Sequence, residues 1–213
     1  MKLKSFTRRK IVDHLKKLID KSRGLDFLNM VESDEVGLDP MLVHHYSPSG
    51  NKYLERILRD LKIESKDSII DIGCGKGSAM RTMLKFPFDK VHGLELCPQT
   101  AAIAVQNFKR LNFRNVKVYV VDAASFNNYK DYSIFYFYNP FPSSVMSPVV
   151  DALIEAIKES EQENVIIYNN PICDDVIVKH GVFSRLCVYP DEWRNGIFVY
   201  SNRAFQESRL LKV

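Results

Sequence analysis

The chain has 213 residues, 46% hydrophobic and 26% charged, with a formal net charge of +4. That length supports one α/β domain with a substantial core and is short for two, and the balanced composition excludes wholesale disorder. The longest apolar run, around Ile134 to Tyr138, is too short to cross a bilayer, and the basic N-terminus lacks the apolar centre of a signal peptide, so a cytoplasmic protein without membrane partners is expected.

Taken in chain order, residues 1–23 carry nine Lys or Arg against Asp13 and Asp20, a local excess of seven positive charges. Ile11, Val12, Leu15, Leu18 and Ile19 fall on one helical face, which predicts an amphipathic helix capping the core with a solvated basic side. Contact with nucleic acid or an acidic partner is the alternative use of that charge. Residues 24–50 read as an irregular connector, ending His44-His45-Tyr46-Ser47-Pro48-Ser49-Gly50. The expected division is thus an N-terminal helix and connector over 1–50 and a catalytic-sized domain over 51–213. His44 and His45 are possible bases but read more simply as surface residues.

Tyr53, Leu54, Ile57, Leu58 and Leu61 recur at helical spacing. Beyond them strands are predicted near 67–72, 90–95, 116–121, 133–138 and 164–169, separated by helices near 78–85, 98–112 and 145–158. Alternation of this kind predicts a parallel sheet with helices on both faces. Two β-rich runs, Phe183 to Tyr189 and Ile197 to Ser201, then flank Asn195-Gly196, a pair favoured in tight hairpins.

The most informative stretch is Ile69-Ile70-Asp71-Ile72-Gly73-Cys74-Gly75-Lys76-Gly77. A buried strand running into alternate glycines permits a tight turn and close approach of a ligand to the backbone. The spacing differs from the dinucleotide fingerprint Gly-x-Gly-x-x-Gly, and no Gly-Lys-Ser/Thr follows, so a P-loop is not indicated. Glu95 closes the second strand 24 residues after Asp71, and Asp122-Ala123 follows the third. A strand-end carboxylate suits the hydroxyls of a ribose. The four cysteines show no Cys-x-x-Cys pair and no histidine at metal-ligand spacing, so reduced thiols and no metal are expected, with Cys74 a small side chain close to ligand.

Together these features resemble the class I S-adenosylmethionine (AdoMet) methyltransferases. Tyr46-x-Pro48, the glycine motif, Tyr138-Asn139-Pro140-Phe141 and Asn170-Pro171 are similar to a group of small bacterial members with unassigned substrates. The resemblance implies a Rossmann-like, doubly wound, mostly parallel seven-stranded sheet with a C-terminal antiparallel hairpin. It implies AdoMet as cofactor, held by Tyr46, Asp71, Gly73, Cys74, Gly75, Gly77, Glu95, Leu96, Asp122, Ala123 and Asn139. Glu95 would take the ribose, Asp122 the adenine amino group. In amino-methylating members an Asn/Asp-Pro-Pro-aromatic motif follows the fourth strand. Here Asn139, Pro140 and Phe141 form a shorter version, and by resemblance they position the acceptor, the ring packing on it. The acceptor implied is a nitrogen, on a protein side chain. A nucleic acid, a small molecule, or no transfer at all in a module that only binds AdoMet are the alternatives.

Overall fold

The computed structural model describes residues 14–29, 48–191, 194–204 and 207–211. Asn51 opens α1 (Lys52–Asp60) by accepting the Tyr53 and Leu54 amides on its side-chain oxygen. One face of that helix, Leu54, Ile57 and Leu58, continues into Leu61, and all four are fully buried. There follow β1 (Ser68–Ile72), α2 (Ser78–Met83), β2 (Lys90–Glu95), α3 (Pro98–Leu111), β3 (Val116–Val120), β4 (Ile134–Tyr138), α4 (Ser143–Ile157), β5 (Val165–Asn169), α5 (Asp174–Val178), β6 (Ser184–Tyr189) and β7 (Ile197–Ser201).

The strands form one sheet in the order β3-β2-β1-β4-β5-β7-β6. The first five run parallel, and β7 lies antiparallel between β5 and β6. β1 and β5 are buried along their whole length, as central parallel strands covered on both faces must be. Alternate residues feed two core layers. Ile70, Ile72, Phe135, Phe137, Ile166 and Tyr168 pack under α4 and α5. Ile69, Tyr136, Ile167 and Val199 pack with residues of α1, α2 and α3. The chain leaves β1 toward β2 on one side and enters β4 on the other, so the sheet has its switch point between β1 and β4. Ligands of open α/β sheets bind at the carboxyl ends of the strands at such a point.

Two expectations are corrected. Residues 14–22 are helical, but Leu15, Leu18 and Ile19 are each about half exposed, so this face does not cap the core; Ile11 and Val12 lie outside the described residues. The anchor is instead polar and begins at the adjacent Asp20. Buried Asp20 takes Arg81 Nη1 on both carboxylate oxygens at 2.9 Å, and the Arg81 guanidinium lies 4.8 Å from the centre of the buried Phe27 ring. The second correction concerns Asn195-Gly196, which is no two-residue turn. The connection spans 190–196, with Asp191 accepting the Asn195 amide at 2.7 Å and both Arg194 and Gly196 at positive φ. A carboxylate four residues upstream holds the loop wide, so the dipeptide ends the loop and does not form it.

Candidate cofactor and acceptor site

The glycine motif joins β1 to α2. Gly73 and Gly77 take φ of +83° and +86°, and the Gly73 and Cys74 amides both donate to the Leu94 carbonyl, pinning the loop to β2. A Cβ on Gly73 would stand 2.7 Å from Pro140 Cβ, and one on Gly77 would stand 2.5 Å from the Phe108 ring. Conformation and space therefore both demand glycine at these two positions. The Gly73 contact also shows that the turn after β4 lies directly against the glycine loop, which brings the two sequence motifs together.

Asp71 is buried and accepts no side-chain hydrogen bond within the described residues; burial, with the Glu95 charge adding, pushes its pKa well above the usual carboxylate range. Glu95 accepts the Gly75 amide on Oε2 and the Cys97 amide on Oε1, each at 2.9 Å. Burial raises its pKa, and these amides pull against that rise. The carboxylate thus ties the glycine loop to the start of α3, and each oxygen keeps a lone pair for a sugar hydroxyl. Asp122 accepts the Ala124 amide at 2.9 Å on one oxygen. A cleft of about 160 Å³ runs between these ends, lined by Gly73, Leu94, Leu96, Val121, Asp122, Ala123, Phe141 and Val145. Apolar walls with one carboxylate among them fit a purine nucleoside.

Sequence reasoning and structure differ in two places. The Cys74 side chain turns into the core, against Gly93 and Met80, and burial pushes its thiol pKa well up; only its backbone belongs to the ligand side of the loop. Phe141 lines the nucleoside cleft beside Ala123 and Val145, where the sequence had put its ring against the acceptor. Tyr46, with His44 and His45, lies outside the described residues. Asn139 is held at φ +38°, and its buried Oδ1 has no hydrogen-bond partner. Among the described residues no three His, Cys, Asp or Glu side chains group to hold a metal ion, and no helix is long and apolar enough to cross a membrane.

Sequence reasoning also missed a clamp on the loop. Lys76, inside the glycine motif, is buried and pairs with Asp26 at 2.6 Å. Buried Asn107 of α3 accepts the Asp26 amide and donates to the carbonyls of Asp26 and Lys76. Helical periodicity gives no sign of such a side chain, because its partners lie 81 and 31 residues away.

Residues 69–160 match the model of a family described as a methyltransferase domain. No curated protein matches the chain. Among solved structures it is similar to an rRNA methylase from Streptococcus thermophilus, at 12% identity over 71% of this chain and 96% of that one, with a TM-score of 0.53. A SAM-dependent methyltransferase from Aquifex aeolicus shares 11% identity over 70% of this chain and 87% of its own, with a TM-score of 0.54. A mutant of MtNAS in complex with S-adenosylmethionine shares 16% identity over 70% of this chain, with a TM-score of 0.55, and the chain spans only 59% of it. At these identities the likeness to solved structures is one of fold. Residues 69–160 thus carry a methyltransferase domain, and the strand order with a cleft at its switch point agrees with a class I, Rossmann-like, S-adenosylmethionine-dependent methyltransferase.

Proposed function

We propose that the chain methylates an amine nitrogen, carried on a protein side chain. The observation behind this reading is the buried, unpartnered Asn139 Oδ1 at the carboxyl end of β4, next to the Gly73–Pro140 contact. A carboxamide oxygen accepts a hydrogen bond but takes no proton at neutral pH. It therefore suits a nucleophile that arrives neutral and keeps an N–H bond through attack; a hydroxyl would need its single hydrogen removed. AdoMet, when bound, supplies a methyl on a sulfonium that is already a good leaving group. The protein's task is then alignment and exclusion of water. On this reading Glu95 and Asp122 hold the nucleoside, Phe141 walls the adenine cleft, and Asn139 orients the acceptor.

The exposed helix at 14–22, with Lys16, Lys17 and Lys21, favours a second reading in which the amine belongs to RNA or DNA. The chemistry at Asn139 is the same in both. Asn139→Ala is expected to lower kcat about 100-fold while AdoMet affinity stays within about threefold, as for removal of one preorganised polar group at a reacting centre. Single-turnover transfer and calorimetric titration measure the two quantities. Full turnover in the variant would remove Asn139 from the role.

A further inference from the structure

The carboxyl edge of β4 and β5 carries more unpaired hydrogen-bonding capacity than Asn139 alone. In the parallel ladder Asp71 pairs with Tyr136, and Tyr138 pairs with Asn169. Registered residues of adjacent strands share a face, so Asp71, Tyr136, Tyr138 and Asn169 all stand on one side of the sheet. Tyr136 is fully buried, Asn169 is 3% exposed and Asp71 2%. The Tyr136 hydroxyl, Asn169 Oδ1 and Asn139 Oδ1 are each buried without a hydrogen-bond partner. Ser49 and Asn169 approach the Tyr136 hydroxyl, but neither meets it with hydrogen-bonding geometry.

Such groups are rare in native proteins because each is costly to leave unmade. Three of them at one edge of one sheet, one strand from the glycine loop, mark a place completed by a ligand. The backbone agrees. Asn139 leaves β4 at φ +38° and Asn170 leaves β5 at φ +53°, both in the left-handed region that side chains disfavour. The Asn170 amide donates to the Gly196 carbonyl at 3.1 Å, so the second exit is fixed by the sheet itself.

We infer that Asn169 is a second acceptor-positioning residue, that the group methylated is a primary amine, and that transfer stops after one methyl. The inference rests on the amine reading above and deepens it. A neutral primary amine has two N–H bonds and one lone pair. Two carboxamide oxygens, from Asn139 and Asn169, take both hydrogens and leave the lone pair for the methyl. The nitrogen pair forms the new N–C bond as the C–S bond breaks, its electron pair passing to sulfur, and the product ammonium sheds a proton to water. Tyr136, whose burial keeps the phenol protonated, stands on the same face of the sheet as Asn169. The neutral product has one N–H where the substrate had two. One oxygen then loses its donor and faces a methyl group, which slows a second transfer about 10- to 100-fold.

The test uses the full chain with labelled AdoMet and the lysate of a strain lacking the protein, separated into protein and nucleic-acid fractions, with the labelled amine identified after hydrolysis. Wild type is expected to give an N-monomethyl amine almost alone. Asn169→Ala is expected to lower the rate at least tenfold, and the fraction of dimethyl product to rise. Asn169→Leu supplies a readout independent of activity: removing an unpaired buried amide is expected to raise Tm by about 2–4 °C, whereas a structural asparagine would lower it. Predominant di- or trimethyl amine from wild type, an unchanged rate in Asn169→Ala, or a fall in Tm for Asn169→Leu would each overturn the inference while leaving amine methylation standing. Label on oxygen or carbon, or none in either fraction, would overturn the amine reading itself and the inference with it.

Discussion

His92 shows how far a side chain of ordinary appearance departs from its solution behaviour once folded. Its Nδ1 shares a hydrogen bond with the Tyr132 hydroxyl at 2.7 Å, and the rings of Tyr119 and Tyr132 meet it edge-on. Burial lowers its pKa to about 4, with Lys90 and Lys117 adding to the fall against the opposing charges of Asp89 and Asp131. The unfolded chain protonates this ring below about pH 6.5, whereas the folded one holds it neutral to about pH 4. Its contribution to stability is therefore complete above pH 6.5 and is lost progressively as pH falls toward 4. The size is on the order of 2 kcal/mol once solvent screening of the partly exposed ring is allowed for. Urea unfolding at pH 4.5 and 7.5 is expected to show a larger loss for wild type than for His92→Gln, by about 1–2 kcal/mol; equal losses would contradict the assignment. At this scale the glycine loop and the strand-end acids at the switch point were legible because they carry a local signal, a glycine after a strand or an acid at its end. Asn169 and Tyr136 were not. In sequence they are ordinary strand residues, and what distinguishes them is an absent partner, which only the packed structure reveals.

Among the elements, the segment following the 14–22 helix does what that helix was expected to do. Leu25 and Phe27 enter the core, Asp26 pairs with Lys76, and Asn107 bonds the segment to the glycine loop, while Asp20 at the end of the helix pairs with Arg81. The helical period at Leu15, Leu18 and Ile19 predicted the helix correctly and its burial wrongly, because period reports which residues share a face and not whether a partner covers it. The clamp has a consequence for function. Asn107 holds the carbonyl of Lys76, which sits between Gly75 and Gly77, so the loop that approaches AdoMet is fixed from behind. Asn107→Ala leaves three backbone groups without this side chain and is expected to cost about 3 kcal/mol of stability, or roughly 6–12 °C in Tm, and to weaken AdoMet binding about tenfold. Differential scanning calorimetry and titration with AdoMet test both effects. Unchanged AdoMet affinity in a variant with lowered Tm would confine Asn107 to holding the segment.

At the scale of the molecule, the sheet separates its two ends by task. The carboxyl ends of β1, β2 and β4 carry the glycine loop, Glu95 and Asn139, while the opposite end is closed by a charged latch. Arg209 reaches Asp67 at 2.8 Å and Glu163 at 3.1 Å, and Ser201 and Ser208 also donate to Glu163. That latch binds the chain's last described turn to the segments entering β1 and β5 and leaves the other end to ligands. The parallel sheet with helices on both faces followed from the sequence because alternating strands and helices need crossover connections. The antiparallel place of β7 followed from family resemblance. The loop before it did not, since the Asp191 carboxylate that widens it lies outside the dipeptide that signals a turn. The central claim is that this architecture moves a methyl from AdoMet to an amine. Its most direct measurement is transfer of labelled methyl from AdoMet into protein, nucleic-acid and small-molecule fractions of a lysate lacking the protein, with Asn139→Ala alongside. The account predicts label on nitrogen in the protein fraction, lost in the variant. Label on oxygen, or label that persists undiminished in Asn139→Ala, would contradict it.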